Sequence, residues 1–138
     1  MKNPLSIFPL FSSLSEEERS NIEDFCQEKM LDQWEYLFQE GDEPLAIYIV
    51  ASWSFSVIKE SSKREIAVIK HWEMIGEMAF FGSESVRNAS VIAREPSEVI
   101  VLLMFSLTEI FNKYPSLKTK LTDLVHMRQE YNLKQWVS

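Results

Sequence analysis

Between Lys29 and Phe105 the chain reads as strand rather than helix, and no other feature narrows its fold so far. Short apolar runs recur there at about ten-residue spacing, each closed by a turn cluster, which is the pattern of antiparallel all-β domains. Trp34, Tyr36 and Phe38 recur at every second position ahead of the turn Glu40-Gly41-Asp42-Glu43-Pro44. Leu45 to Val50 is a continuous apolar run. Phe55 and Val57 alternate with Ser54 and Ser56, and Glu60-Ser61-Ser62-Lys63 closes a hairpin returning through Ile66, Val68 and Ile69. Two more strands are expected over Arg87 to Ala93 and Glu98 to Phe105, separated by Glu95-Pro96. The expected fold class is therefore mainly β, an antiparallel β-barrel or jelly roll with flanking N- and C-terminal helices.

Helix signals sit at the two ends. Ser15-Glu16-Glu17-Glu18 has capping-box form, a hydroxyl to accept an N–H with a glutamate three residues on to reach back. Ile22, Phe25 and Cys26 follow at helical spacing, which predicts one helix of about 11 residues. Ser106-Leu107-Thr108-Glu109 repeats the pattern and predicts a helix turning Leu107, Ile110 and Phe111 inward. Tyr114-Pro115 ends it, because a residue before proline avoids the helical region. A last helix starts at Pro115 or Ser116, with Leu117, Leu121, Leu124 and Val125 on one face. The layout is one domain over 1–138, with a helical lead-in (about 5–27), a barrel (about 28–105) and C-terminal helices (about 106–133).

Charge and cysteine content exclude several classes. A chain of 138 residues with net charge −7 has no basic stripe to neutralise phosphates, so nucleic acid is not an expected partner. Lys59, Lys63 and Arg64 fall at the hairpin and read as a solvated turn. Cys26 is the single cysteine and reads as a buried thiol in a reducing compartment. The first residues lack the apolar run of a signal peptide, and no stretch approaches the roughly 18 apolar residues that span a bilayer. No membrane partner and a cytoplasmic location are expected. His71 and His126 are isolated, so no metal or other cofactor is expected. Ser83 and Ser85 have no identifiable histidine partner, and no enzymatic activity is expected.

The stretch that carries chemistry is Ile75-Gly76-Glu77-Met78-Ala79-Phe80-Phe81, followed after a short loop by Arg87-Asn88-Ala89-Ser90. It resembles the phosphate-binding cassette of cyclic-nucleotide-binding domains, the family of catabolite-activator-type regulators and protein-kinase A regulatory subunits. Other segments agree in order. Phe8-Pro9-Leu10-Phe11 with Leu14 is similar to the family's helical lead-in. Gln39-Glu40-Gly41-Asp42-Glu43 before Ile47-Tyr48-Ile49-Val50 is similar to its Gly-Asp turn and following strand. Phe105, Ile110-Phe111 and Tyr114-Pro115 resemble the helices after the barrel.

The resemblance implies a ligand, cyclic AMP more than cyclic GMP, bound by Gly76, Glu77, Met78, Ala79, Arg87, Asn88 and Ala89. A planar guanidinium at Arg87 can give two parallel hydrogen bonds to a cyclic phosphate. A glycine ahead of a helical turn lets the backbone approach the anion, and N–H groups of Met78, Ala79 and Phe80 would then face it. Glu77 would accept the ribose 2′-hydroxyl and help to hold Arg87. Asn88 could serve either base.

Two departures from the family pattern set further expectations. Ser52-Trp53 and Trp72-Glu73 stand where the family usually has glycine turns, and tryptophan does not readily take the positive φ such turns use. These corners are expected to be rebuilt, with the pocket altered at its edges or partly filled by indole. Only about ten residues follow Arg128, too few for a helix-turn-helix. The expected behaviour is that of a monomer or weak homodimer signalling to a separate protein partner, or a degenerate domain that keeps the fold without binding nucleotide.

Overall fold

The computed structural model describes residues 5, 11–12, 14–71, 73–76, 85–120, 122–123 and 126. The strand-like middle of the chain forms two four-stranded antiparallel sheets rather than one closed barrel, a jelly-roll arrangement. The first sheet has the order β1 (Cys26–Leu31), β8 (Ser97–Leu103), β3 (Ala46–Ser52), β6 (Met74–Ile75). The second has the order β2 (Tyr36–Phe38), β7 (Ser90–Ala93), β4 (Ser54–Lys59), β5 (Arg64–Lys70).

Burial explains the two kinds of strand sequence. On one face of the first sheet Leu31, Val50, Val99 and Val101 meet Leu37, Phe55, Val57 and Val91 of the second. On its other face Ile47, Ile49, Ile100 and Leu102 meet Ile22, Leu107, Ile110 and Leu117 from the helical ends. Covered on both faces, β3 and β8 carry continuous apolar runs. In the second sheet β4 alternates serine with Phe55 and Val57, which belong to the inter-sheet core.

The N-terminal helix α1 (Glu16–Glu23) opens with the expected capping box. Ser15 Oγ accepts from Glu18 N at 3.1 Å, and Glu18 Oε1 accepts from Ser15 N at 3.1 Å. The helix is 8 residues long rather than about 11. Phe25 and Cys26 leave it, and Cys26 starts β1 opposite Leu102. The polar run Gln27-Glu28-Lys29 lies exposed on that strand.

The second capping box does not form. Helix α2 (Met104–Lys113) starts directly out of β8, with Leu103 at its N-cap and no side-chain cap. Met104 N donates to Leu45 O at 3.0 Å, so a backbone carbonyl of the neighbouring chain segment does the work of a cap. Ser106 is buried inside the first turn. Helical residues 115–120 follow, with Leu117 in the core, while Leu121, Leu124 and Val125 have side chains outside the described residues.

Strand β2 does not follow the spacing of its aromatic residues. Leu37 turns into the core, whereas Tyr36 is exposed and Trp34 sits on a turn with φ 66°. A register shift between Tyr36 and Phe38 places Phe38 half-buried at the edge of the inter-sheet core. Trp53 takes φ 65°, so the corner keeps the glycine-like backbone and is not rebuilt. Its side chain is 62% exposed. Trp72 lies outside the described residues.

Candidate functional site

The Gly41-Asp42 turn and Arg87 are joined through the backbone before any side chain is considered. Gly41 N donates to Arg87 O and Arg87 N donates to Asp42 O, both at 2.8 Å. The turn holds its shape because Gly41 has φ 93° and Asp42 Oδ2 accepts from Gln39 N at 2.8 Å. Glu40 N donates to Ser90 Oγ at 2.9 Å, tying the same turn to the start of β7. Two motifs far apart in sequence thus form one rigid corner.

The Arg87 side chain runs into this corner and is only 4% exposed. Nη1 donates to Gly76 O at 3.0 Å and Nη2 to Ala46 O at 2.6 Å. The guanidinium carbon lies 4.1 Å from the Phe38 ring centroid, within range of a cation–π contact. The Phe38 ring in turn packs on Tyr48, with centroids 6.0 Å apart and planes tilted by 32°. Burial pushes the Tyr48 phenol up from its ordinary pKa, while Arg87's charge and hydrogen bond act in the opposite direction.

Gly76 is required here for a reason the motif alone does not give. Its φ is 83°, and a Cβ at this position would sit 2.5 Å from Arg87 Nη1. No side chain fits between that backbone and the guanidinium. The remaining assigned residues divide. Glu77, Met78 and Ala79, with Phe80, Phe81 and Ser83, lie outside the described residues. Asn88 is exposed, and its carbonyl accepts from Lys59 Nζ. Lys59 also lies 3.9 Å from Glu40, so this one hairpin cation braces the corner from outside. Ala89 is buried among the inter-sheet core residues.

Among the described residues, Phe38, Ala46 and Tyr48 also surround Arg87, and they were not singled out as site residues from sequence. Ala46 acts through its carbonyl, which no side-chain pattern reveals. Phe38 read as an ordinary core-facing strand residue. Its position directly before the Gly-Asp turn is the only signal that placed it near Arg87.

The geometry also decides the question of the indoles for one of the two turns. Trp53 closes β3 at the end opposite Ala46, and that seven-residue strand spans about 20 Å. Its ring therefore does not fill the space around Arg87.

Comparison with known proteins bears on the domain as a whole. A family model described as "Cyclic nucleotide-binding domain" matches residues 28–114, more than half of the chain. The cGMP-dependent protein kinase egl-4 of Caenorhabditis briggsae is 29% identical over 99% of this chain, which spans 17% of the kinase. The Cyclic AMP receptor protein of Thermus thermophilus is 28% identical over 87% of this chain and 56% of its own length. The crystal structure of the Thermus thermophilus catabolite activator protein superimposes with a TM-score of 0.78 at 28% identity, covering 91% of this chain and 61% of that one. The chain thus spans less than two thirds of each of these relatives. The matched family is a ligand-binding regulatory module rather than a catalytic one. With its jelly roll, its Gly-Asp turn locked to Arg87 and a family match across both sheets, this chain belongs to the cyclic-nucleotide-binding domain family.

Proposed function

We propose that this chain is a cytoplasmic sensor domain that binds a cyclic mononucleotide, cyclic AMP in preference to cyclic GMP, and passes the signal to a protein partner. The observation that carries this reading is the fixed, buried guanidinium of Arg87 against Gly76. A cation oriented before the ligand arrives loses little conformational entropy when a phosphate binds. Met78, Ala79 and Phe80 supply backbone N–H groups to the anion, and Glu77 accepts the ribose hydroxyl. The two named relatives divide between cyclic AMP and cyclic GMP, so both ligands belong in the test. The protein acts as a monomer or weak dimer, and the helix beginning at 115 carries the response.

One observation favours the alternative, a domain that keeps the fold and binds a protein without nucleotide. Arg87 already donates to Gly76 O and Ala46 O within its own chain. Calorimetric titration separates the two. Under the sensor reading Arg87→Ala weakens nucleotide binding by about 30-fold to 1,000-fold, the equivalent of about 2–4 kcal/mol. Arg87→Lys recovers part of it, since an ammonium keeps the charge without the planar fork. Glu77→Gln costs less than Arg87→Ala, because an amide oxygen still accepts from a hydroxyl. Wild-type protein that gives no heat with either nucleotide at millimolar concentration supports the alternative.

A further inference from the structure

Hydrogen bonds hold a guanidinium within its plane, whereas a contact on its face restrains the plane itself. Nη1 on Gly76 O and Nη2 on Ala46 O hold two corners of the Arg87 guanidinium. The Phe38 ring covers a face of that plane, with its centroid 4.1 Å from the guanidinium carbon, and so restrains its tilt. Its negative face also stabilises the cation and keeps water off that side. Tyr48, 6.0 Å behind, limits the ring's own freedom.

From this geometry we infer that Phe38 is a positioning residue for anion capture, setting the plane in which Arg87 presents its N–H groups to a ligand phosphate. This rests on the nucleotide-binding reading above. Phe38 is only partly buried, at the margin of the inter-sheet core. It immediately precedes the turn whose Gly41 and Asp42 clamp the Arg87 backbone. One five-residue segment, 38–42, therefore orients both the main chain and the side chain of the arginine.

The test uses the full chain with Phe38→Leu, which keeps apolar bulk, and Phe38→Tyr, which keeps the ring. Phe38→Leu is expected to weaken cyclic AMP or cyclic GMP binding by about 3- to 20-fold, and Phe38→Tyr to stay within about 2-fold of wild type. In ligand-free protein the Arg87 Nε–H proton resonance, shifted by the ring current, is expected to move in Phe38→Leu and to be retained in Phe38→Tyr. This second measurement reads the stacking whether or not nucleotide binds, and a merely structural role in the core would not restore it with tyrosine. Wild-type binding left unchanged in Phe38→Leu overturns the positioning role alone, as does a Tyr variant as weak as the Leu variant. An Arg87 resonance indifferent to Phe38→Leu overturns the stacking itself. A wild-type protein that binds neither nucleotide overturns the sensor reading and this role with it, even with the resonance shift intact.

Discussion

Replacing Gly76 by alanine adds one methyl group at the point where the backbone and Arg87 are closest. Two costs add. The first is conformational, since φ is 83° and an L-residue in that region loses about 1–2 kcal/mol. The second is steric, since the new Cβ would lie 2.5 Å from Nη1, 3.1 Å from Cζ and 3.2 Å from Nη2. The guanidinium ends a flexible side chain, but its bonds to Gly76 O and Ala46 O and its 4% exposure leave it nowhere to go without breaking a contact. Losing one charged hydrogen bond costs about 1.5–3 kcal/mol, so the total is about 3–5 kcal/mol. For a domain of this size that lowers Tm by roughly 10–15 °C. Gly41 is the internal control, because it shares a positive φ of 93° and a Cβ there meets nothing within 4 Å. Gly41→Ala should cost only about 1–2 kcal/mol. In an Arg87→Ala background, Gly76→Ala should fall to the same value because the clash is gone. Thermal denaturation of the four variants measures all of this. Equal losses for Gly76→Ala and Gly41→Ala, or an undiminished loss in the Arg87→Ala background, would refute the packing of Arg87 on Gly76.

Trp53→Gly relieves a left-handed tryptophan about 20 Å from the Ala46 end of β3, so melting should show stability kept or raised by about 1 kcal/mol, with nucleotide affinity unchanged. A tenfold loss of affinity would show that this corner does reach the pocket. Ser15→Ala removes the hydroxyl that caps α1 and should cost about 1 kcal/mol in denaturant unfolding. Hydrogen bonds from Ser15 hold the Glu18 carboxyl below its ordinary pKa, so this cap weakens as pH falls through that lowered value, and α1 amides should then exchange faster. Burial, with Glu23 adding to it, pushes the Cys26 thiol from 9.0 up to about 12. Its neutral form therefore adds stability below pH 9 that is lost as pH rises toward 12, and alkylation of native protein at pH 8 should be far slower than of unfolded chain.

Features set by local chemistry were readable from the residues, and those set by distant backbone were not. The Ser15 capping box and the apolar runs of β3 and β8 each follow from residue types at short spacing, and the Gly76 and Arg87 pair from the resemblance to the family cassette. The start of α2 did not, because Ser106 to Glu109 has capping form while the actual first N–H, that of Met104, finds Leu45 O just ahead of β3. Strand β1 was hidden by an exposed polar run that pairs with β8 and carries no alternation of its own. The phase of β2 was misread because a register shift moves Phe38 out of the expected row. At the site, Ala46 contributes a carbonyl and Phe38 a ring face to a residue 41 and 49 positions away in sequence respectively, which only the paired sheets bring together. Trp53 shows the limit of propensity. A turn fixed by the strands on either side imposes a φ that tryptophan by itself avoids.

The central claim is that a cyclic phosphate binds at the Arg87 corner, and melting of the wild-type protein with ligand tests it most directly. The chain is heated alone, with cyclic AMP, with cyclic GMP and with linear 5′-AMP. Ligand at about 100 times its dissociation constant adds about 2.7 kcal/mol to the folded state, which raises Tm by roughly 8 °C. The account predicts that rise with cyclic AMP, a smaller one with cyclic GMP at equal concentration and none with 5′-AMP, and it predicts that Arg87→Lys loses most of the response. An unchanged Tm with both cyclic nucleotides at millimolar concentration, or a rise that ignores Arg87, would contradict it.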